Sequence, residues 1–158
     1  MEPAAPQRIR PGMATGLLRL LVIAALWSGA ALAQPEPDGA LPPCAAAPNC
    51  VSSDASGERH SVAPLRLALP APEAWRAVRR VVAALPRTRI VSESDSVLRA
   101  ECTSAVFRFV DDLELRLRPD QGIVAVRSAS RTGWSDFGVN RRRVEEIRAA
   151  LIREGVVR

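Results

Sequence analysis

The sequence predicts an α+β fold in which an antiparallel sheet of about four to five strands carries two helices on one face. Three observations support this class. The predicted elements follow the order strand, helix, four strands, helix, with short turns between the strands. The strands show the apolar and polar alternation of half-buried antiparallel strands. Each helix has one apolar stripe, so both can pack on the same face of the sheet.

Residues 1–33 are predicted to be a signal peptide. Arg19 precedes the apolar run Leu20–Ala33, which ends in a small-residue motif suited to cleavage before Gln34. The run is shorter than the ~20 residues that span a membrane, and a retained signal anchor is the alternative. Met13 is an alternative start of the chain. We therefore expect an exported, periplasmic protein without a stable membrane span after cleavage.

Residues 34–60 form a proline-rich tether followed by an irregular arm that contains two cysteines. Cys44 and Cys50 enclose only AAAPN, so in an oxidising compartment they can form a disulfide. A Cys50–Cys102 bridge is the alternative pairing, and Cys102 is otherwise a small buried hydrophobe. Three cysteines and one histidine at wide spacing do not match a zinc site. Neither a metal nor a cofactor is predicted.

Residues 61–158 are predicted to form a single domain. The first helix has apolar residues at helical spacing from Trp75 to Leu85, and the final helix has Asn140 as N-cap and Gly155 at its end. The apolar stripe of the final helix is Val144, Ile147 and Leu151. The predicted elements are an extended segment 61–69, a helix 72–84, strands 88–92, 97–103, 106–118 and 123–131, and the final helix.

The last two strands are predicted to pair in one register, set by the turn Pro119–Gly122. If Arg118 faces Ile123, the apolar residues of both strands share the inner face, and a slip of one residue would reverse both faces. The same register places an opposite-charge pair on the outer face. The resulting partners are Leu117–Val124, Leu115–Val126, Leu113–Ser128, Asp111–Ser130 and, on the outer face, Glu114–Arg127. In the third strand, Phe107 and Phe109 are expected to share the inner face with Leu113.

Nine polar or aromatic residues are candidates for one polar cluster at the end of this sheet. They are Asp111, Asp112, Ser128, Ser130, Arg131, Trp134, Asp136, Asn140 and Arg141. Unsatisfied buried polar groups cost ~1–3 kcal/mol each, so Arg131 or Arg141 is expected to bind the aspartates. Three consecutive arginines at a helix start oppose the helix dipole, which indicates an acidic side chain or an anionic ligand nearby. The cluster could bind a small anion or could only brace the fold.

Three segments resemble the signature segments of the domain of unknown function 1499 family. They are PCAAAPNCVSS at 43–53, FRFVDDLELRL at 107–117 and VRSASRTGWSDFGVNRRRVEEIR at 126–148. Cys44 and Cys50 match the paired cysteines of the family's first motif. The resemblance implies an exported or membrane-associated bacterial domain, and it carries over no catalytic residue.

Three classes of function remain after composition is considered. Without residues 1–33 the chain has 22 − 3 = 19 basic and 17 − 1 = 16 acidic residues, a net charge of +3 that does not favour nucleic acid. A non-catalytic binding or accessory module for a small anion or an envelope protein fits best. A structural envelope domain is the second class. An enzyme is the third, and no catalytic residue is assigned because no nucleophile–base or metal motif occurs.

Overall fold

A computed structural model describes Met1 and residues 39–158, and every described secondary-structure element belongs to the compact unit Pro35–Arg158. The predicted signal peptide lies outside the described residues. The strands are β1 (Cys50–Ser52), β2 (Leu65–Arg66), β3 (Thr88–Glu93), β4 (Val97–Thr103), β5 (Val110–Arg118) and β6 (Ile123–Ser130). The helices are α1 (Ala71–Ala83) and α2 (Val139–Arg153). The α+β class is therefore confirmed.

The strands form one antiparallel sheet in the order β1-β6-β5-β4-β3, and β2 also pairs with β6. β1 and β2 lie along the same edge of β6, opposite Arg127–Ala129 and Ile123–Val124 respectively. The arm was expected to be irregular, but it contains β1, whose three residues are too few to show an alternation. Within the predicted extended segment 61–69, only Leu65 and Arg66 form a strand.

The hydrophobic core fills the space between the inner face of the sheet and the two helices. Burying such side chains stabilises the fold by roughly 1.5–3 kcal/mol each. Its members include Trp75, Val78 and Val82 of α1, Val144, Ile147 and Leu151 of α2, and Leu98, Leu113, Leu115, Val124 and Val126 of the sheet. Both predicted apolar stripes are confirmed.

The start of α2 differs from the prediction. Gly138, with φ of 76°, precedes the helix, and Asn140 is a buried residue of the first turn rather than the N-cap. The carboxylate of Asp136 performs the capping. It accepts the N–H groups of Gly138 and Asn140 at 3.0 and 2.7 Å, which satisfies two amides that a helix start leaves unpaired. Gly155 follows the helix with φ of 68°, as predicted.

The predicted register of β5 and β6 is confirmed along its whole length. Arg118 faces Ile123, Leu113 faces Ser128 and Asp111 faces Ser130. Glu114 does face Arg127, but the expected ion pair does not form. Glu114 instead accepts from Arg116 at 2.7 Å and from Arg99 at 3.3 Å.

The cysteine-containing arm covers part of the outer face. Arg116 is only 5 % exposed there, although it points away from the core. Arg118 bonds the carbonyl of Gly39 at 2.9 Å and both carboxylate oxygens of Asp54, one of them at 3.0 Å. Burial by itself raises the pKa of Asp54, but the hydrogen bonds from Arg118 and from the N–H of Leu41 lower it overall. The arm is thus held by an ion pair.

Residues 106–109 were predicted to begin the third strand, and this was wrong. Thr103 pairs directly with Val110, so 104–109 form the loop between β4 and β5. Two hydrogen bonds close the loop: the N–H of Ser104 to the carbonyl of Phe109 at 2.8 Å, and the N–H of Phe109 to the hydroxyl of Ser104 at 2.9 Å. Phe107 and Phe109 therefore do not join the core.

Candidate binding site at one end of the sheet

Three loops meet at one end of the sheet, called the loop end below. They are 84–87 between α1 and β3, 104–109 between β4 and β5, and 131–138 between β6 and α2. Strand pairing brings them together, because Thr88 faces Cys102 and Asp111 faces Ser130. The N–H of Thr103 also bonds the carbonyl of Arg87 at 2.9 Å. The order of the strands thus places these loops side by side.

A buried group of polar side chains lies on the inner face beneath the loop end. This inner cluster consists of Asp111, Ser128, Ser130, Asn140 and Arg143. Arg143 is its centre: one terminal nitrogen donates to Asp111 at 2.6 Å, and the other donates to the Ser128 hydroxyl at 2.9 Å and to Asn140 Oδ1 at 2.8 Å. The inner face therefore holds an ion pair inside a hydrogen-bond network.

Asn140 connects the inner cluster to the cysteine-containing arm. Its Oδ1 accepts from Ser128 Oγ at 2.6 Å, and its Nδ2 donates to Ser130 Oγ and to the carbonyl of Asn49, both at 3.0 Å. Asn140 is fully buried, so each of these bonds replaces one that water would otherwise make. The inner cluster satisfies itself, and its geometry is that of a brace between α2 and the sheet.

A second charged group lies on the outer face of the same strands. This outer ladder consists of Arg89, Glu101, Asp112 and Arg131. Arg131 bonds Asp112 and Glu101, both at 2.7 Å, and Arg89 bonds Glu101 at 2.6 Å. These bonds from Arg131 and then Arg89 lower the pKa of Glu101, and the bonds to Asp112 and Glu101 raise the pKa of Arg131. Arg131 and Asp112 remain 46 % exposed.

The nine predicted residues therefore do not form a single cluster. Asp111, Ser128, Ser130 and Asn140 meet on the inner face, whereas Asp112 and Arg131 meet on the outer face. Asp136 caps α2 as described above. Two more lie apart.

Arg141 and Trp134 are the two residues that lie apart from both clusters. Arg141 donates to the carbonyls of Glu58, Arg59 and Ser61 at 2.8–3.2 Å, so it holds the segment after β1 and contacts no aspartate. Trp134 is 72 % exposed at the tip of its loop. The prediction that Arg131 or Arg141 binds the aspartates holds for Asp112, which Arg131 binds at 2.7 Å. Asp111 is bound by Arg143 instead.

Sequence reasoning missed Arg143 and Asn49. The signal for Arg143 was present: stepping back along the inner stripe of α2 from Ile147 leads to positions 144, 143 and 140, which face the sheet. Asn49 had no local signal. Its side chain donates to the carbonyl of Gly133 at 2.6 Å, and its own carbonyl accepts the N–H of Ser130 at 2.9 Å.

The predicted Cys44–Cys50 disulfide is confirmed, with Cα atoms 5.6 Å apart. It closes the short loop that contains Asn49, whose contacts reach β6 and the loop 131–138. Cys102 is buried and carries a free thiol. The bridge therefore holds the arm against the loop end, and the alternative pairing of Cys50 with Cys102 does not occur.

A pocket of about 270 Å³ opens between the loops 84–87 and 104–109 and the first turns of α2. We call it the arginine pocket. Its charged lining contains three arginines and one glutamate, a net charge of +2. Within residues 39–158, two of these arginines each use one donor: Arg87 Nε bonds the carbonyl of Thr103 at 3.2 Å and Arg142 Nη1 bonds that of Phe137 at 2.9 Å. The lining includes Leu85, Arg87, Thr88, Cys102, Thr103, Ser104, Ala105, Val139, Arg142, Arg143 and Glu146.

Five large apolar side chains project from two of the loops and are called the apolar rim. They are Val106, Phe107, Phe109, Trp134 and Phe137, which are 53–86 % exposed. The rings of Phe107 and Phe109 stack with their centres 5.6 Å apart. Elsewhere in the described residues, the exposed large apolar side chains are Met1, Val91 and Ile152. The loop end thus concentrates apolar surface that the core does not use.

Backbone strain is concentrated in the same three loops. Among the described residues, the non-glycine positions with positive φ are Arg87, Arg108 and Phe137, at 54°, 58° and 51°. Each of the three loops contains one of them. The left-handed conformation costs an L-residue roughly 1–2 kcal/mol, and such strain clusters at functional sites. The surrounding contacts therefore hold these loops in shapes that local preference opposes.

Comparison with protein families identifies the chain. A family model described as "Protein of unknown function (DUF1499)" matches residues 40–151, which is most of the chain. The chain belongs to this family. The match includes both cysteines of the bridge, all three loops of the loop end and nearly all of α2. No curated protein and no solved structure matches the chain.

Metal ligands and membrane spans bear on the chemistry of this DUF1499 domain. Within the residues that the structure describes, no three His, Cys, Asp or Glu side chains converge as metal coordination requires. Within the same residues, no helix combines the length and apolarity needed to cross a bilayer. His60 Nδ1 lies 2.9 Å from the carbonyl of Cys50, away from the arginine pocket. What the described residues present at the loop end is therefore the arginine side chains of the pocket, with their charge and hydrogen-bond donors.

Proposed function

We propose that this DUF1499 domain is a non-catalytic binding module that takes a phosphate- or carboxylate-bearing ligand in the arginine pocket. The observation that carries the proposal is that Arg87 and Arg142 have unused hydrogen-bond donors. Each lines the pocket, each has terminal donors left over, and neither has a carboxylate within 4.0 Å among residues 39–158. Arginine donors in a partly enclosed site favour planar or tetrahedral anions.

The three arginines at the start of α2, residues 141–143, make different contacts. Two of them hold the fold together, and Arg142 is available to a ligand. Positive charge there opposes the helix dipole, so each arginine benefits from an acceptor. Arg143 has Asp111, and Arg141 has three backbone carbonyls. Among residues 39–158, Arg142 has only the carbonyl of Phe137 as an acceptor. An anion in the pocket would supply the acceptor that Arg142 lacks.

Two arginine substitutions test the pocket against a matched control. Arg87→Gln and Arg142→Gln each remove one charge from the lining. Arg66→Gln removes the same charge from an exposed position on β2, near the turn at the opposite end of the sheet. Thermal unfolding is followed with inorganic phosphate and with acetate. A ligand at 100 times its dissociation constant stabilises the native state by about 2.7 kcal/mol.

The expected result is stabilisation of the wild type and of Arg66→Gln, with a strongly reduced response in both pocket variants. Equal responses in all four proteins would mean that the anion acts on net charge alone. A wild type that is indifferent to both anions would contradict the proposal. That result would favour the second candidate, a structural envelope domain, which the bracing hydrogen bonds of the inner cluster support.

We infer that the domain works outside the cytoplasm, in the periplasm of a bacterial cell. The Cys44–Cys50 bridge supports this inference, because disulfides persist in oxidising compartments and are rare in the cytosol. The predicted signal peptide supports it as well. Sequencing the N-terminus of the protein recovered from the periplasm should give Gln34 as the first residue. Recovery only from the cytoplasm, with an intact N-terminus, would contradict it.

A further inference from the structure

We propose that the loop end docks on an anionic phospholipid membrane, with the apolar rim in the interfacial layer and a lipid phosphate at the arginine pocket. This inference rests on the proposed anion binding, and it names the source of the anion and the surface that presents it.

The composition of the rim fits the membrane interface. Trp134 and Phe137 project from one loop tip, 72 % and 86 % exposed, and Val106, Phe107 and Phe109 project from the neighbouring one. Contiguous exposed apolar side chains mark interaction sites in folded proteins. Tryptophan and phenylalanine on protruding tips next to arginine are the combination that enters the boundary between headgroups and acyl chains.

The charge around the rim is basic. Arg87, Arg108 and Arg142 are all exposed and lie in or beside the three loops. Asp136 is the one carboxylate within the loops 104–109 and 131–138, and its oxygens are occupied by the amides of α2. Basic residues near a membrane surface with anionic lipids contribute about 1 kcal/mol each. The rim is therefore framed by charge complementary to such lipids.

The opposite end of the sheet has a different character. Its two turns carry Asp95 and Asp120, and within residues 39–158 no large exposed apolar side chain lies in either turn. Val91 and Ile152 are exposed singly on other elements. Apolar surface and basic charge thus coincide at one end only, which gives the domain a single orientation on a flat surface.

The position of the pocket connects anion binding to the rim. Ala105 lines the pocket and is followed at once by Val106 and Phe107, while Val139 lines its other side two residues after Phe137. A ligand in the pocket therefore has its charged group among arginines and its remaining part beside exposed apolar side chains. A phospholipid has this arrangement, whereas a free phosphate ion would leave the rim in water.

The test is co-sedimentation with phosphatidylcholine vesicles that do or do not contain phosphatidylglycerol. The variants are the double substitution Phe107→Ser and Trp134→Ser, and separately Phe137→Asn, since asparagine tolerates the left-handed backbone at that position. Ile152→Ser removes an equally apolar, exposed side chain away from the loop end and is the control. All proteins begin at Gln34, the expected mature N-terminus, so the apolar run 20–33 and Trp27 contribute neither to vesicle binding nor to tryptophan emission.

Docking predicts that the wild type and Ile152→Ser sediment with phosphatidylglycerol vesicles. The affinity of the double variant for these vesicles should be lower by a factor of about ten or more. A second measurement follows tryptophan emission with brominated lipid. Quenching is expected in the wild type and should largely disappear in Trp134→Phe, which keeps an aromatic ring and retains binding. Unfolding curves of each variant establish that the fold persists.

The outcomes separate this inference from the proposed function. A phosphate response that is lost in Arg142→Gln, together with no vesicle binding, leaves the pocket intact and overturns docking. Vesicle binding that the rim substitutions do not change, but that salt abolishes, is adsorption of a basic chain and also overturns docking. If vesicle binding depends on the rim but phosphate does not stabilise the protein, docking is supported and the proposed anion binding in the arginine pocket is contradicted.

Discussion

Asp111 and Asp112 are neighbours in the sequence, and each is bonded to an arginine, yet the two ion pairs differ in almost every physical respect. The pair of Asp111 with Arg143 spans 2.6 Å and has side chains 6 % and 12 % exposed. The pair of Asp112 with Arg131 spans 2.7 Å and both side chains are 46 % exposed. The alternation of a β-strand sends one carboxylate under the helix and the other towards water.

The difference teaches that burial, and not the presence of an ion pair, decides what each pair does for the fold. Removing one partner of a buried pair leaves a charge that neither water nor protein solvates. Removing one partner of an exposed pair leaves a charge that water solvates at once. The inner cluster is therefore a structural device that fixes α2 on the sheet, whereas the outer ladder contributes little to stability.

The largest effect is expected from Asp111→Ala. It leaves the Arg143 guanidinium buried without its carboxylate, which costs about 3–5 kcal/mol in comparable buried pairs. The free energy of unfolding, obtained by denaturant titration, measures the loss. A loss below about 1 kcal/mol would mean that water reaches Arg143 and that the inner cluster is not a brace.

Replacing both Asp111 and Arg143 tests whether the loss in Asp111→Ala comes from the unpaired charge. Asp111→Leu combined with Arg143→Met removes both charges and keeps apolar volume, and such exchanges of buried pairs are often neutral. The double variant should therefore be more stable than Asp111→Ala. It should not regain full stability, because Ser128 and Asn140 lose the donor that Arg143 supplies to them.

The next effect is expected from removing the disulfide. Cys44→Ser with Cys50→Ser releases a loop with a sequence separation of 6, which should destabilise the protein by about 2 kcal/mol. The amide of Ser130 bonds the carbonyl of Asn49, so its hydrogen exchange should accelerate. Cys102→Ala is the control for loss of a thiol alone. Unchanged exchange at Ser130 would show that the bridge does not support the loop end.

A smaller effect is expected from Asp112→Ala. The charge of Arg131 stays solvated and keeps Glu101 as a partner, so the free energy of unfolding should change by less than about 1 kcal/mol. The measurement is the same denaturant titration used for Asp111→Ala. A loss as large as that of Asp111→Ala would remove the distinction between the two faces.

The smallest effect concerns acid pH. The pKa of Glu101 and that of Asp54 are lowered in the folded protein from ordinary values of 4.5 and 3.8. The stability that these groups contribute is thus present above those ordinary values and is lost as pH falls through the lower folded values. Glu101→Gln and Asp54→Asn should flatten the loss of stability below about pH 4.5.

Asp120→Asn is the control for the acid experiment, because Asp120 is exposed and its side chain makes no hydrogen bond within residues 39–158. If Asp120→Asn reduces the loss of stability at acid pH as much as Glu101→Gln does, the pH dependence comes from net charge. The specific bonds of the outer ladder and of the arm would then contribute nothing measurable.

The candidate site was only partly predictable, and the unpredicted parts have one cause. Asp111 could be placed against Ser130 because strand alternation and a short turn leave a single register. The helical period places Arg143 on the inner stripe of α2, but which arginine reaches Asp111 also depends on where α2 lies along the sheet. Asn49 reaches the site from a different part of the chain. Contacts between distant segments leave no periodic signal.

The loop 104–109 shows the limit of pattern reasoning most clearly. The alternation of Phe107, Phe109 and Leu113 predicted one long strand. The structure has two hydrogen bonds between Ser104 and Phe109 and a left-handed backbone at Arg108. Residues 104–109 therefore form a loop, and β5 begins only at Val110. An apolar alternation indicates a buried strand only if another surface covers it, and here no described residue does.

The amino-acid order alone specifies the α+β class, the apolar stripes of both helices and the register of the last hairpin, and it favours the pairing of Cys44 with Cys50 over that of Cys50 with Cys102. These features are local or periodic, so a period of two or of 3.6 residues and a short spacing are enough to specify them. The packing of helices and loops on the sheet sets which arginine braces Asp111, which side chains remain exposed at the loop end and where a pocket opens. Those features depend on how separate elements pack, because burial and hydrogen-bond geometry arise from segments that are distant in the chain.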